Sequence, residues 1–228
     1  MKSYDASIIA KKIVKFCVST NKKFLFISGN GGSGKTERSK FISKEASKYG
    51  KVNFLEMDDF VVDTKLRNSA ITTWEDIHKK EQTGRYTTSF EASYFLQSIK
   101  AIIYNIEKGN NYYHWPKKAK KSQECILLHG DATLTIVEGV GTVFLEKEKN
   151  NSASIFLVCK KEVEIDRRIK RARADNEKSA EDIKKNFDER NSQYEAIIKP
   201  HMAEYDMVLE SLEDFSLNII RDDFDILK

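Results

Sequence analysis

A glycine-rich segment near the N-terminus has the residue types that bind a chain of phosphates. It matches the pattern GxxxxGK[ST] in full, and its residues are Gly29, Asn30, Gly31, Gly32, Ser33, Gly34, Lys35 and Thr36. Glycines let successive backbone N–H groups point into one concavity, and a following helix adds its positive N-terminus. The lysine would reach the β- and γ-phosphates, and the threonine hydroxyl would bind Mg²⁺. A chance glycine-rich turn is disfavoured, because an apolar run precedes the segment and a helical pattern follows it.

Acidic residues follow two apolar runs further along the chain. Asp58 and Asp59 come after residues 52–57, and Glu138 comes after residues 134–137. A carboxylate at the first position could accept the proton of a hydroxyl that attacks the γ-phosphate, or could hold the metal or its waters. At the second position it would order Mg²⁺ or its water shell. The alternatives are a solvated acidic turn and an ordinary strand end.

Arginines recur on a charge-rich stretch that has a helical pattern. Arg168 and Arg171 share one helix face, while Arg173 is displaced around the axis. Guanidinium groups over the triphosphate would neutralise charge on the transferring group, and we favour Arg171 for this role. The alternative is a solvated charge run, with Glu162, Glu164 and Asp166 as local partners.

Aromatic and polar residues in the middle of the chain form a candidate acceptor pocket. Aromatic rings could stack on a base, and the charged side chains could bind sugar hydroxyls. The alternative is ordinary core packing for the aromatic residues and a structural role for the histidine. The candidates are Asp76, Arg85, Tyr86, Tyr113, His114 and Trp115, beside Trp74 and Tyr112.

Strand-like and helix-like segments alternate along the chain, which predicts an α/β fold with a parallel sheet. The predicted helices cover residues 35–49, 89–107, 163–174 and 179–198, after an amphipathic first helix around residues 8–14. The predicted strands cover residues 24–27, 52–57, 133–137, 154–159 and 207–209. Ligands of such sheets bind at the carboxyl ends of the strands, where the phosphate segment and the acids lie.

Composition limits the class of protein. The 228 residues predict a single domain, 1–228, and a hydrophobic fraction of 40% excludes a disordered chain. The net charge of +4 is too small to argue for nucleic acid, and no apolar run has the length of a membrane span. Three distant cysteines, two of them in apolar runs, indicate buried free thiols and a reducing compartment. We therefore expect a soluble, cytoplasmic protein, with its oligomeric state open.

The same residues resemble the uridine kinase/phosphoribulokinase-like family of P-loop kinases over roughly residues 22–210. The resemblance covers the phosphate segment, Met57-Asp58-Asp59-Phe60, Val137-Glu138-Gly139 and Thr83-Gly84-Arg85-Tyr86. His114 stands where bacterial uridine-kinase-like relatives carry Asp, and the arginine-rich stretch is one residue short of the usual spacing. The resemblance implies a doubly wound parallel sheet, a helical lid at about residues 163–200, and transfer of the ATP γ-phosphate to a small-molecule hydroxyl. It makes Asp58 the general base, Lys35 the phosphate clamp, and Thr36 with Glu138 the Mg²⁺ ligands.

Three classes of function stay open at this point. A small-molecule kinase leads, with a nucleoside such as uridine as first acceptor and a sugar, pantothenate-like or glycerate-like compound as rival. A regulatory nucleotide switch is disfavoured, since no Asn-Lys-x-Asp segment follows the phosphate segment. A nucleotide-binding protein without catalysis is the third class, favoured by the departures at His114 and in the lid.

Overall fold

The computed structural model describes residues 4–117, 124–147, 150–175 and 180–226. The described helices are α1 (Ala6–Ser19), α2 (Lys35–Ala46), α3 (Thr64–Ser69), α4 (Leu96–Glu107), α5 (Lys161–Asp175) and α6 (Ala180–Gln193). The described strands are β1 (Phe24–Gly29), β2 (Val52–Glu56), β3 (Ile71–Glu75), β4 (Glu81–Arg85), β5 (Tyr112–His114), β6 (Ile126–Leu128), β7 (Leu134–Glu138), β8 (Ser152–Val158), β9 (Met207–Ser211) and β10 (Leu217–Asp222).

Six of the strands form a central sheet in the order β10-β9-β8-β1-β7-β2. β1 lies between β7 and β8 and runs parallel to both, which confirms the predicted α/β fold. β10 is antiparallel to β9 and closes one edge, a strand that the sequence analysis did not predict. β3–β4 and β5–β6 are separate two-stranded hairpins. The carboxyl ends of the parallel strands meet at one edge, which carries the phosphate segment and the acids.

Helices cover the sheet on both faces, as a sheet of nearly continuous apolar strands requires. α1 and α2 pack on one face, where Ile9, Ile13 and Ile42 belong to one buried cluster. α4 packs on the other, and Ile99 and Ile106 belong to a second cluster. All six residues of β1 are buried. The core therefore holds the strand that leads into the phosphate segment rigidly in place.

The predicted helix over residues 89–107 begins too early. Residues 91–93 form a short 3₁₀ turn, and α4 starts only at Leu96. Tyr94 instead pairs with Val61 in an antiparallel bridge, and the Phe95 amide donates to the Phe60 carbonyl oxygen at 2.8 Å. Pairing with the turn after β2 thus keeps these residues extended, although their side chains follow a helical spacing.

Smaller boundary differences involve helix ends and the last helix. α2 ends at Ala46 rather than at residue 49, and the predicted last helix continues beyond Gln193 as a π-helical turn, Tyr194–Ile198. Its predicted first residue, Ser179, lies outside the described residues.

Cys17 is buried and Cys159 half-buried, as expected of thiols in apolar runs, whereas Cys125 is exposed. None of the described helices is both long and apolar enough to cross a bilayer.

Candidate active site

The segment Gly29–Thr36, called the phosphate loop below, takes its shape from glycines at positive φ. Gly29 has a φ of 139°, and a Cβ atom there would lie 1.7 Å from the carbonyl oxygen of Leu157. Gly34 has a φ of 82° and directly precedes α2. Side chains are strained at such angles, so glycine is required where β1 turns into the loop and where the loop enters the helix. The loop amides and the α2 N-terminus together suit an anion.

Lys35 is half-buried, and its ammonium group turns back into the phosphate loop. Its Nζ donates to the main-chain carbonyl oxygens of the first two loop residues, at 3.0 and 2.7 Å. Burial lowers the pKa of Lys35, while the negative charges of Glu138, Glu164 and Asp58 act in the opposite direction. The ammonium group is thus a buried cation with carboxylates around it, which is the electrostatic environment that a phosphate chain would enter.

Thr36 and Glu138 form the predicted pair of oxygen ligands. The Thr36 hydroxyl donates to Oε1 of Glu138 at 3.0 Å, and Glu138 is only 6% exposed. Burial raises the pKa of Glu138, and the charge of Lys35 with the Thr36 hydrogen bond opposes that shift. Hydroxyl and carboxylate oxygens are hard donors of the kind Mg²⁺ prefers, so these two residues fit that cation.

The two acids after β2 have different surroundings. Asp58 is exposed and makes no hydrogen bond to the described residues, yet its charge acts on Lys35. The side chain of Asp59 is buried; it accepts from the Lys117 amide at 2.8 Å and lies 3.1 Å from Nε2 of His114. Asp58 is therefore available to a ligand beside the loop. Asp59 instead joins the turn after β2 to the segment that carries His114 and Lys117.

Helix α5 lies directly over the phosphate loop. Glu164 accepts from Nδ2 of Asn30 at 2.6 Å and forms an ion pair with Arg168 at 2.7 Å. A Cβ atom on Gly31 would lie 1.8 Å from Nη2 of Arg168 and 2.6 Å from Oε1 of Glu164. The predicted arginine that the structure places against the loop is therefore Arg168, held there by Glu164, which the sequence analysis had treated only as a charge partner.

The other arginines of α5 have different positions. Arg171, which the sequence analysis favoured, is exposed, and the side chain of Arg173 lies outside the described part of the structure. Arg167 was not predicted: its Nη1 donates to the Gly32 carbonyl oxygen at 2.8 Å, and its guanidinium lies 4.1 Å from the Phe215 ring centroid. One residue of difference in a run of arginines decides which of them reaches the loop, and the sequence carries no signal for that difference.

Two of the predicted acceptor residues are engaged with the protein itself. Arg85 donates from Nε and from its main-chain amide to the two carboxylate oxygens of Glu189, at 3.1 and 2.8 Å. This contact joins the β3–β4 hairpin to α6. Asp76 accepts from the amides of His78 and Lys80, at 2.8 and 3.1 Å, and so closes the turn of that hairpin.

The aromatic candidates lie in separate surroundings. The Tyr86 ring packs edge-on against Phe90, with centroids 5.2 Å apart. His114 is buried and stacks on Phe60, again at 5.2 Å, while Tyr113 and Trp115 are 57% and 67% exposed. The structure does not bring these residues together in one pocket. It places the His114 ring against Asp59, whose carboxylate it contacts.

Comparison with known families identifies one that matches most of the chain. The sequence profile of the phosphoribulokinase/uridine kinase family matches residues 24–218. The chain belongs to this family. It is thus a member of a group of small-molecule kinases of the P-loop type, whose acceptor carries a hydroxyl.

Solved structures resemble the chain in fold at low sequence identity. D-glycerate 3-kinase from Cryptococcus neoformans matches with a TM-score of 0.63 at 11% identity, over 93% of this chain and 97% of that one. A “possible uridine kinase” from Bacillus stearothermophilus matches with a TM-score of 0.44 at 13% identity, over 88% and 98%. No curated protein matches the sequence.

Proposed function

We propose that this protein is an ATP-dependent kinase that transfers the γ-phosphate to a hydroxyl group of a small molecule. The observation that carries the proposal is the convergence of three features at one edge of the sheet. These are the buried ammonium of Lys35, the oxygen pair of Thr36 with Glu138, and the unengaged carboxylate of Asp58. A nucleotide-binding protein without catalysis has no need of the third feature.

Each feature supplies one part of an in-line transfer. The loop amides and Lys35 hold the phosphates of ATP, and Thr36 with Glu138 would hold Mg²⁺, which neutralises charge on those phosphates. Asp58 takes the proton of the acceptor hydroxyl while that oxygen forms a bond to the γ-phosphorus. The bond from the γ-phosphorus to the β–γ bridging oxygen breaks, and ADP leaves. Arg168 lies where it can neutralise charge on the transferring group.

The acceptor is a small hydroxyl compound, with a nucleoside such as uridine as the first expectation from the sequence. A glycerate-like acceptor is the second candidate, since the neighbour with the TM-score of 0.63 is named as a D-glycerate 3-kinase. The aromatic candidates lie apart from one another, and this placement does not support the expectation that they stack on a nucleoside base.

The test measures ADP release by the purified protein with ATP and Mg²⁺, across nucleosides, sugars and small hydroxy acids. We expect release that depends on one class of acceptor. Replacing Asp58 by Asn should lower kcat by about 10²–10⁴-fold, because the general base is lost, and should leave the binding of an ATP analogue intact. Asp59→Asn is the matched control, because it removes the neighbouring carboxylate, whose contacts are with His114 and Lys117; it should cost less.

Two results would contradict the proposal. Slow ATP hydrolysis that no acceptor accelerates would favour a nucleotide switch or a protein without transferase activity. Undiminished transfer by Asp58→Asn would exclude Asp58 as the base, even if the kinase activity itself were found.

A further inference from the structure

Four arginines from four different elements interact electrostatically beside the phosphate loop, with Arg190 under the influence of the other three. We call them the arginine cluster: Arg67 on α3, Arg85 at the end of β4, Arg168 on α5 and Arg190 on α6. Burial lowers the pKa of Arg190, and the positive charges of the other three members lower it further. Like charges gathered in a partly buried place are unfavourable unless anions balance them.

Carboxylates of the protein form ion pairs with only two members of this cluster. Arg85 pairs with Glu189, and Arg168 pairs with Glu164. Arg67 is 9% exposed and hydrogen-bonds only to uncharged oxygens, among them the carbonyl of Val62 at 3.0 Å. Arg190 makes neither an ion pair nor a hydrogen bond with any residue in the described ranges. Arg67 and Arg190 therefore form no ion pair with a described carboxylate, although the charges of Asp58 and Asp63 act on Arg67 and that of Glu189 acts on Arg190.

Two members of the cluster line a cavity between the phosphate loop and α6. Arg190, Arg168 and Gly31 line it together with residues 87–89 and with Glu164, the ion-pair partner of Arg168. Tyr194 lines the same cavity, and its buried hydroxyl has no hydrogen-bond partner in the part of the chain described. The carbonyl oxygen of Tyr86, just before residues 87–89, accepts from Nη1 of Arg67 at 3.4 Å. The cavity thus offers the guanidinium of Arg190 and the hydroxyl of Tyr194, two donors that have no partner among the described residues.

The cluster extends toward the proposed general base. The charge of Asp58 acts on Arg67 as well as on Lys35. The phosphates of ATP already have the loop amides, Lys35 and Arg168 as partners. Arg67 and Arg190 add positive charge beyond that set, and Arg67 lies near enough to Asp58 for the two charges to interact.

We infer that the acceptor of this kinase carries an anionic group, a carboxylate or a phosphate ester, which Arg67 and Arg190 bind while Asp58 faces the acceptor hydroxyl. The inference rests on the proposed function and narrows its substrate class. A planar guanidinium binds either anion through two parallel hydrogen bonds, so both members of this class fit the same residues. A neutral nucleoside would leave both charges without a partner, which is costly in a partly buried site.

The first experiment compares acceptors that differ only in the anion. D-glycerate is paired with glycerol, and ribose 5-phosphate with ribose, while uridine serves as the neutral nucleoside. We expect kcat/KM of one anionic member to exceed that of its neutral partner by about 10²-fold or more. The two pairs also separate a carboxylate site from a phosphate-ester site. Equal rates within the productive pair, or a preference for uridine, would overturn the inference.

The second experiment removes one unbalanced charge. Arg190→Met should raise KM for the anionic acceptor at least tenfold and leave the dissociation constant of an ATP analogue unchanged. Arg190→Lys should recover part of the loss, because it restores the charge without the planar fork. Lys184→Met is the matched control, an exposed cation on the same helix. A rise confined to the dissociation constant of the ATP analogue would assign Arg190 to the donor and refute the inference.

A binding measurement separates the failure of this inference from the failure of the proposed function. Inorganic phosphate is added to protein saturated with a non-hydrolysable ATP analogue, and the melting temperature is recorded. We expect phosphate to raise it by roughly 2–4 °C in the wild type and not in Arg190→Met. No rise in the wild type would refute the anion site. Failure of the analogue to bind at all would refute the proposed function instead.

Discussion

The phosphate loop and the arginine cluster are two cationic regions of one cleft, and they balance their charge differently. The loop is made of eight consecutive residues, and its one buried cation, Lys35, lies under the influence of three carboxylates. The cluster is assembled from residues as far apart as 67 and 190, and two of its four cations form no ion pair with a described residue, although single carboxylates lie near enough to act on them. The cation of the loop thus has several carboxylates of the protein around it, whereas two arginines of the cluster remain open to an ion pair with a ligand.

This difference separates what is common to a class of enzyme from what is particular to one member. Backbone amides and a lysine can hold any nucleoside triphosphate, because every such ligand carries the same phosphates. Side chains drawn from a hairpin and three helices define a site that depends on this chain alone. We expect changes in the first region to abolish transfer, and changes in the second to alter which compound is phosphorylated.

The largest effect is expected from the loop. Replacing Lys35 by Met should lower kcat by about 10²–10³-fold, because a positioned cation is lost where charge develops during transfer. The melting temperature should fall as well, because the buried carboxylate of Glu138 loses the positive charge that acts on it. ADP release and thermal melting measure the two effects.

Lys40→Met is the matched control for that variant. Lys40 lies on the same helix, its side chain is 61% exposed, and its contact with Glu37 is a surface pair at 3.7 Å. It should leave both turnover and melting unchanged. If Lys35→Met retained wild-type turnover, the phosphate loop would not be the donor site.

Backbone geometry gives the next effect. Gly29→Ala should lower the free energy of unfolding by about 3 kcal/mol or more, because the new Cβ would overlap main-chain atoms of Leu157 that cannot move aside. Gly109→Ala also requires a positive φ, of 82°, but its Cβ would meet nothing within 4 Å. It should cost only about 1–2 kcal/mol. Equal losses of unfolding free energy in denaturant titrations would show that the positive φ alone, and not the contact with β8, requires glycine at position 29.

The same contrast explains how much the sequence could predict. The loop, Asp58 and Glu138 each lie just after an apolar run, so local patterns were enough to find them and the strands that carry them. Arg67 and Arg190 lie in ordinary charge-rich stretches, and only the packing of α3 and α6 near the loop gives them a joint role. Arg85 had a recognisable neighbourhood, Gly-Arg-Tyr, yet no local pattern could reveal Glu189, 104 residues away, as its partner. The start of α4 was missed for the same reason, because a bridge to Val61 keeps Tyr94 extended.

The smallest effect tests the balanced half of the cluster. Burial alone would raise the pKa of Glu189, but the hydrogen bonds and charge of Arg85 together outweigh it and lower that pKa below the ordinary value of 4.5. A carboxylate whose pKa is lowered by folding stabilises the fold above its unfolded pKa and loses that contribution as the pH falls. Glu189→Gln should therefore cost about 1 kcal/mol near pH 7, a modest value because both side chains are partly exposed. The melting difference from wild type should shrink as the pH falls below 4.5.

The neighbouring Asp188→Asn controls for a change of charge on α6 without a change in the cluster. Asp188 is 82% exposed and pairs with Lys161 on the surface, so its replacement should have no measurable effect at either pH. A constant melting difference for Glu189→Gln across this pH range would mean that Arg85 and Glu189 are held by packing rather than by charge. Arg85 would then count with Arg67 and Arg190 as a cation that a ligand must balance, and the contrast between the two regions would become sharper.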